Sequence, residues 1–344
     1  MMRVVVLTLT LSATMAGQRA YAGASAPSAA SAPAAPAAVG DGDETYRKLA
    51  IFARVLNYIE NNYVDPSDPD RLVYGAIRGL VSTLDRHSQF IEPDAYAAMR
   101  RQAREASPED GAAGAAGGIG QSASLGIRRF PGGLLYLRIP RFVAETASSL
   151  QKTLTMARAQ GGFRGLVLDL RDNPGGLFDE AVRVADLFIG RGAIVSTESR
   201  GRPAETEFAH PKGTEPGYPL VVMVNGGTAS SSEIVAGALR DHQRAILLGE
   251  QTFGKGSVQT VIELDDGSAL KLTIARYRTP SGRSIQGVGI TPDIVVEARP
   301  EASPGGKGEG VGDRGDPQLV EARRVAKQWI DSGENPDQLR ERPR

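Results

Sequence analysis

The chain has 344 residues, enough for one large or two medium domains with a substantial buried core. Lysine plus arginine and aspartate plus glutamate each total 40, so no bulk charge draws the protein to nucleic acid or an anionic membrane, and nucleic acid is not an expected partner. The absence of cysteine rules out disulfides, thiolate nucleophiles and cysteine-ligated zinc; with three histidines in all, His87, His210 and His242, neither a metal nor another cofactor is expected.

Residues 1–22 begin with Arg3 and the apolar run "VVVLTLTLSATMA" and end in Ala20-Tyr21-Ala22, the pattern of a secretory signal cut before Gly23. The run is shorter than the ~20 residues needed to span a bilayer, so export is expected, to the periplasm or out of the cell. Residues 23–44 are a linker whose "GASAPSAASAPAAPAAVG" lacks the large apolar groups a core requires. A helical segment follows over 45–102. Leu49, Phe52, Leu56 and Ile59 recur at helical spacing, a second run covers Leu72, Ile77, Leu80, Val81 and Leu84, and Pro66, Asp68 and Pro69 divide them. Residues 103–133, centred on "GAAGAAGGIG", read as a flexible connection.

From Leu134 the pattern changes. "LLYLRI", "GLVLDL", "AIVST", "PLVVMV", "AILLG", "SVQTVIEL" and "SALKLTIARY" are strand-like, with helical stretches at 143–160, 177–189 and 231–240 among them. Continuous apolar runs alternating with helices predict an α/β layer fold over 134–299 whose sheet is covered on both faces. Residues 300–344 hold a Gly-rich linker and a closing helix at 317–331.

Two segments carry chemistry. In "LLGEQTFGKGSVQTVIEL", residues Gly249, Gly254 and Lys255 fit the first seven positions of a phosphate-binding P-loop. That motif needs Ser or Thr next and a helix after it; here Gly256 follows, then an alternating β-branched run. The other segment is "VVMVNGGTASSSEIVAGALRD", a buried strand, a turn and a helix with Ser230 at its start. Ser230 to Glu233 spells an S-x-x-E capping box, a sufficient structural reason for the serine. The same position suits attack on a carbonyl, because following backbone N–H groups and the helix dipole favour developing negative charge. A serine nucleophile needs a base. His242 lies roughly 18 Å down the helix, at about 1.5 Å per residue. Spacing does not dispose of His87 and His210, but nothing around them suggests a triad. Lys255 is the remaining candidate, provided its surroundings keep the amine uncharged.

Residues 220–259, "ASSSEIVAGALRDHQRAILLGEQTFGKGSVQ" included, resemble the catalytic core of the carboxyl-terminal processing peptidases, the tail-specific proteases of serine peptidase family S41. The resemblance implies Ser230 as nucleophile, Lys255 as general base and Gln259 as the residue orienting the lysine. Ser231 stands where alanine is usual and would serve an oxyanion hole through its backbone N–H. "GLVLDLRDNPGGLFDEAVRVADLFI" at 165–189 also resembles the family and makes Gly175 or Gly176 the second oxyanion donor. Further similarity runs through "YGAIRGLVSTLDRHSQFIEP", "YLRIPRF" and "YRTPSGRSIQGVGITPDI". The implied fold is a crotonase/ClpP-like S41 protease core with an N-terminal helical segment and a C-terminal helix.

Family members usually insert a PDZ domain before the core. The 31 residues of 103–133 fall below the ~40 at which a domain stands without staples, so none is expected here. The implied function is an exported serine endopeptidase acting on unfolded or tail-exposed proteins and peptides through a Ser-Lys dyad. The alternative is a non-catalytic S41-like scaffold or adaptor in the cell envelope. An adaptor protein would replace the PDZ domain, and the terminal helices would either pair in a homodimer or pack on their own core.

Overall fold

The computed structural model describes residues 42–105, 125–298 and 315–333. The expected signal, nearly all of the linker, the "GAAGAAGGIG" stretch and the Gly-rich residues 299–314 lie outside the described residues. The chain divides into two units, Met1–Ala115 with Gln259–Thr273, and Ala116–Val258 with Ile274–Arg344.

Within the first unit, helix α1 spans Gly42–Asn62 and α2 Pro69–Ser82. The start of α2 follows from its residues: Asp68 Oδ1 accepts the N–H groups of Asp70 (3.0 Å) and Arg71 (3.4 Å), and Pro69 takes the first position, where no N–H is needed. Two elements join the expected pair of helices. Strand β1, Gln89–Ile91, precedes α3, Pro93–Glu105. β1 pairs antiparallel with Ala269–Lys271 at the start of β10, Ala269–Arg278. Ile91, Tyr96 and Ala269 form a small core there, and Tyr96 donates its hydroxyl to Glu263 at 2.7 Å. Glu263 ends β9, Ser257–Glu263, which pairs with β10.

The second unit is organised by a six-stranded sheet. Its strands are β2 (Gly126–Phe130), β3 (Leu134–Arg138), β4 (Gly165–Asp169), β7 (Leu220–Val224), β8 (Ile246–Gly249) and β11 (Ile294–Val295), in spatial order β11-β8-β7-β4-β3-β2. All neighbours run parallel except β2, which returns antiparallel along β3. The connection expected over 103–133 therefore stops short: Gly126–Phe130 is an edge strand, and Pro131–Gly133 turn it back on Leu134.

Alternation along each strand sends side chains to two separate cores. Leu166, Leu168, Leu220, Val222 and Val224 face α4 (Thr146–Ala159), α5 (Phe178–Asp186) and α6 (Ser231–Asp241). Val167, Val221, Met223, Ile246 and Leu248 face α7 (Pro317–Ser332), which contributes Leu319, Ala322, Val325, Ala326 and Trp329. Burial on both sides is why these strands are apolar throughout, as parallel sheets require. A further antiparallel layer joins β5 (Ala193–Ser199) to β6 (Glu205–Phe208) and to residues 275–278 of β10. The sheet edge where β4, β7 and β8 end carries the two segments singled out in the sequence.

Candidate functional site

β7 ends at Val224, and the turn after it is fixed by short polar side chains. Asn225 Oδ1 accepts the N–H groups of Gly227 (3.0 Å) and Asp172 (2.9 Å), while Thr228 Oγ1 donates to Leu170 O at 2.8 Å. Ser230 follows at φ 57°, ψ −120°, far from the extended backbone of an ordinary N-cap. A non-glycine residue held there is strained by about 1–3 kcal/mol and persists because its neighbours enforce it. Ser230 N–H donates to Glu233 Oε2 at 2.9 Å, the glutamate half of the capping box.

The turn after β4 meets this serine. Asn173, fully buried, donates Nδ2 to Ile139 O at 2.8 Å and accepts Gly175 N–H on Oδ1 at 2.9 Å. Its carbonyl accepts from Ala229 N–H at 2.9 Å and Ser232 Oγ at 3.0 Å. Ser231 Oγ donates to Gly176 O at 2.9 Å. A Cβ at Gly175 would lie 3.0 Å from both Ser230 Cβ and Ser231 N, so the turn and the serine are in contact. Gly176, at φ 143°, is glycine by necessity: a Cβ there would sit 2.0 Å from Phe142 O. Asn173 thus already engages the N–H of Gly175, one of the two expected donors. Ser231, first residue of α6, has an N–H with no acceptor inside the helix.

Lys255 reaches the same place through Glu233. This carboxylate, fully buried, accepts Thr252 Oγ1 (2.5 Å) and Gly254 N–H (2.8 Å) on Oε1, and Lys255 N–H (2.8 Å) on Oε2, the oxygen that also takes Ser230 N–H. Burial raises the Glu233 carboxyl above its ordinary range, and its four hydrogen bonds pull the other way. The lysine loop is also laced to residues 285–290. Gly287 N–H donates to Gly254 O (2.9 Å), Gly256 N–H to Gln286 Oε1 (3.0 Å) and Ile290 N–H to Thr252 Oγ1 (2.7 Å). A Cβ at Gly256 would stand 2.5 Å from Gln286 N, so only glycine permits this approach beside the lysine. The Lys255 side chain is half-buried and makes no ion pair or hydrogen bond among the described residues.

The remaining candidates have these surroundings. Gln259 lies in β9 within the first unit, where Nε2 is 3.5 Å from Thr273 Oγ1. His242 Nε2 is 2.7 Å from Ala193 O, His210 Nδ1 is 3.2 Å from Asp186 Oδ2, and His87 Nε2 accepts from Arg86 at 3.2 Å. A strand follows Lys255, not a helix, so the phosphate-loop geometry is not formed. Reading Glu233 only as a capping residue missed its second role, because the partners Thr252, Gly254 and Lys255 come from a distant loop. The strongest sequence signal for it was an acid three residues after the serine on an otherwise apolar helix face.

The profile of peptidase family S41 matches residues 133–296. A carboxy-terminal-processing protease of Bartonella bacilliformis is 35% identical over 329 aligned residues, covering 74% of this chain and 76% of that protein. A carboxyl-terminal-processing protease of Synechocystis sp. is 44% identical over 162 residues, covering 47% of this chain and 38% of that protein. Among solved structures, a photosystem II D1 C-terminal processing protease superimposes with a TM-score of 0.56 at 28% identity, over 74% of this chain and 89% of its own.

Proposed function

Since this chain belongs to peptidase family S41, the carboxyl-terminal processing proteases, and is a serine-type peptidase, we propose that it cleaves peptide bonds with Ser230 as nucleophile and Lys255 as general base. One observation carries the assignment: a single carboxylate oxygen of Glu233 takes the N–H groups of both Ser230 and Lys255. The two segments thus share an anchor that holds their backbones close, which supports side chains that must come within hydrogen-bond reach for the proton to pass.

The unprotonated Lys255 amine takes the Ser230 hydroxyl proton as Oγ bonds to the scissile carbonyl carbon. Negative charge moves to the carbonyl oxygen, and the N–H groups of Ser231 and Gly176 stabilise it. When the intermediate collapses the C–N bond breaks, and the Lys255 ammonium returns the proton to the leaving amine. Lys255 then deprotonates a water molecule that attacks the acyl-serine ester, and Ser230 recovers its proton. Gln259 comes to a lysine-orienting role through family resemblance alone.

The substrates are unfolded or tail-exposed proteins, and the apolar, Arg-led residues 1–22 support action in the periplasm or outside the cell. Ser230→Ala and Lys255→Ala are each expected to abolish cleavage of an unfolded protein such as casein, with product mass spectrometry giving cleavage preference. Full activity in Lys255→Ala would remove the dyad. For the pairing of two copies, the support is α1, whose Tyr46, Leu49, Phe52, Val55 and Tyr58 are all exposed. Sedimentation of wild type against Leu49→Glu/Phe52→Glu tests it; a wild type that stays monomeric at high concentration would refute it.

A further inference from the structure

Resting on that reading of Ser230 and Gly176, we propose that α7 holds the oxyanion turn in register through Arg171, making Arg171 and Asp316 positioning residues for catalysis. Arg171 follows β4 and leads directly into Asp172, which sits at φ 58°, and then Asn173 and the two glycines. Its guanidinium is buried and every arm is occupied. Nε lies 3.0 and 3.2 Å from the two oxygens of Asp169, and Nη2 lies 2.7 Å from Asp169 Oδ2. Nη1 donates to Asp316 Oδ1 (3.1 Å) and Gln318 Oε1 (3.0 Å), and Nη2 meets Asp316 Oδ2 at 2.9 Å.

Both ends of this bridge are themselves fastened. Asp169 accepts the Tyr136 hydroxyl at 2.7 Å and Arg171 N–H at 2.9 Å. Asp316 caps α7 by accepting Leu319 N–H at 3.0 Å, and Gln318 donates to Val296 O at 2.8 Å. On the other side, Leu170 O accepts Thr228 Oγ1 (2.8 Å) and Asn173 N–H (3.2 Å). Hydrogen bonds therefore run from the α7 cap to Arg171, and the backbone carries the connection on through Asp172 into the turn that touches Ser230. α7 packs on the sheet face opposite α6, and this path is what brings it to the catalytic edge. An oxyanion donor displaced by even about 1 Å loses much of its effect, so a guanidinium fixed at five points suits the task.

The test uses the full chain carrying Arg171→Lys, which keeps the charge but loses the fork, or Asp316→Asn, which keeps a good N-cap while removing the ion pair. Ala322→Gly is the control, because it loosens α7 without touching the path. Peptide kinetics and inhibition by a peptide boronate, whose tetrahedral adduct occupies the oxyanion site, are measured well below each melting temperature. In Arg171→Lys, kcat is expected to fall about tenfold or more with KM nearly unchanged, and boronate affinity to fall by the same factor. Asp316→Asn should move both readouts in the same sense by less, while Ala322→Gly lowers only the melting temperature. The proposal is overturned if both network variants keep wild-type kcat and boronate affinity, or if Ala322→Gly loses as much of either. Asp316→Asn decides the matter if Arg171→Lys does not fold. A wild type that neither turns over peptide nor binds boronate would instead sink the reading of Ser230, and this inference with it.

Discussion

The turn at residues 171–176 is fastened by its own side chains, whereas the loop at 252–256 borrows its anchor from another element. Asn173 and Arg171 lie inside the turn and bind outward, to Ile139, Asp169, Asp316 and Gln318. In the lysine loop the main contributors are backbone N–H groups, and the acceptor, Glu233, is a helix side chain. The difference has a mechanical meaning: if α6 shifts, the first segment loses only its bonds from Ser231 and Ser232, while the second loses the carboxylate that gathers its N–H groups beside Ser230 and keeps its ties to residues 286–290.

Glu233→Gln should break this comparison most severely. The amide offers one acceptor oxygen where four donors converge, so buried groups go unsatisfied at about 1–3 kcal/mol each, and kcat is expected to fall about a hundredfold. Urea unfolding and peptide kinetics check both numbers; a variant with normal kcat would show that the lysine loop holds itself. The same pair reports on pH. Burial raises the Glu233 carboxyl in the fold, so its contribution to stability is fully present below the unfolded value near 4.5 and is lost as pH rises through the folded one. The stability gap between wild type and Glu233→Gln should therefore narrow with rising pH across that window, and a constant gap would mean the carboxyl titrates alike in folded and unfolded chains.

Asn173→Ala comes next and sharpens the contrast, because it strikes only the self-fastened turn. It leaves Ile139 O and Gly175 N–H without their partner, a loss of about 1–3 kcal/mol, and should lower kcat about tenfold. Labelling of Ser230 by a small sulfonyl fluoride should change less than peptide turnover; equal loss of both would place the damage at the serine. The smallest effect belongs to Ser231→Ala. Removing its bond to Gly176 O should cost about 0.5–1.5 kcal/mol and a few-fold in kcat, read by thermal melts and peptide kinetics. An unchanged enzyme would mean that Gly176 is positioned by its bridge to Phe142 alone.

What could be read from the sequence follows the same division. Apolar runs long enough to be buried on both faces disclosed β3, β4, β7 and β8, and the strand-turn-helix around Ser230 was visible from composition. β1, β6 and β11 were not: β1 and β11 are only three and two residues long, and β6, ETEF, is mostly exposed and polar, unlike the equally short but wholly buried and apolar β8, so distant partners had to supply what the local pattern lacks. β2 hid for another reason: its GIRRF is exposed and polar, an edge with no apolar face to advertise it. At the site, the serine and lysine were legible as residue types. The strained backbone of Ser230 was not, since an S-x-x-E start looks alike whether the serine sits in the extended or the positive-φ region. Only nonlocal contacts, from Asn173 and Glu233, decide between them.

The two faces of the central sheet are unequally roofed. Among the described residues three helices share one, while a single helix covers the other, with the chain's one indole, Trp329, only 8% exposed on its inner side. Tryptophan emission, excited at wavelengths where the nine tyrosines do not absorb, is consequently a gauge of one event, the seating of that helix on Val167, Val221 and Leu248. Any ligand, temperature or truncation that pries it loose would redden the fluorescence and bare a broad oily strip at once, tying the optical signal to the onset of self-association.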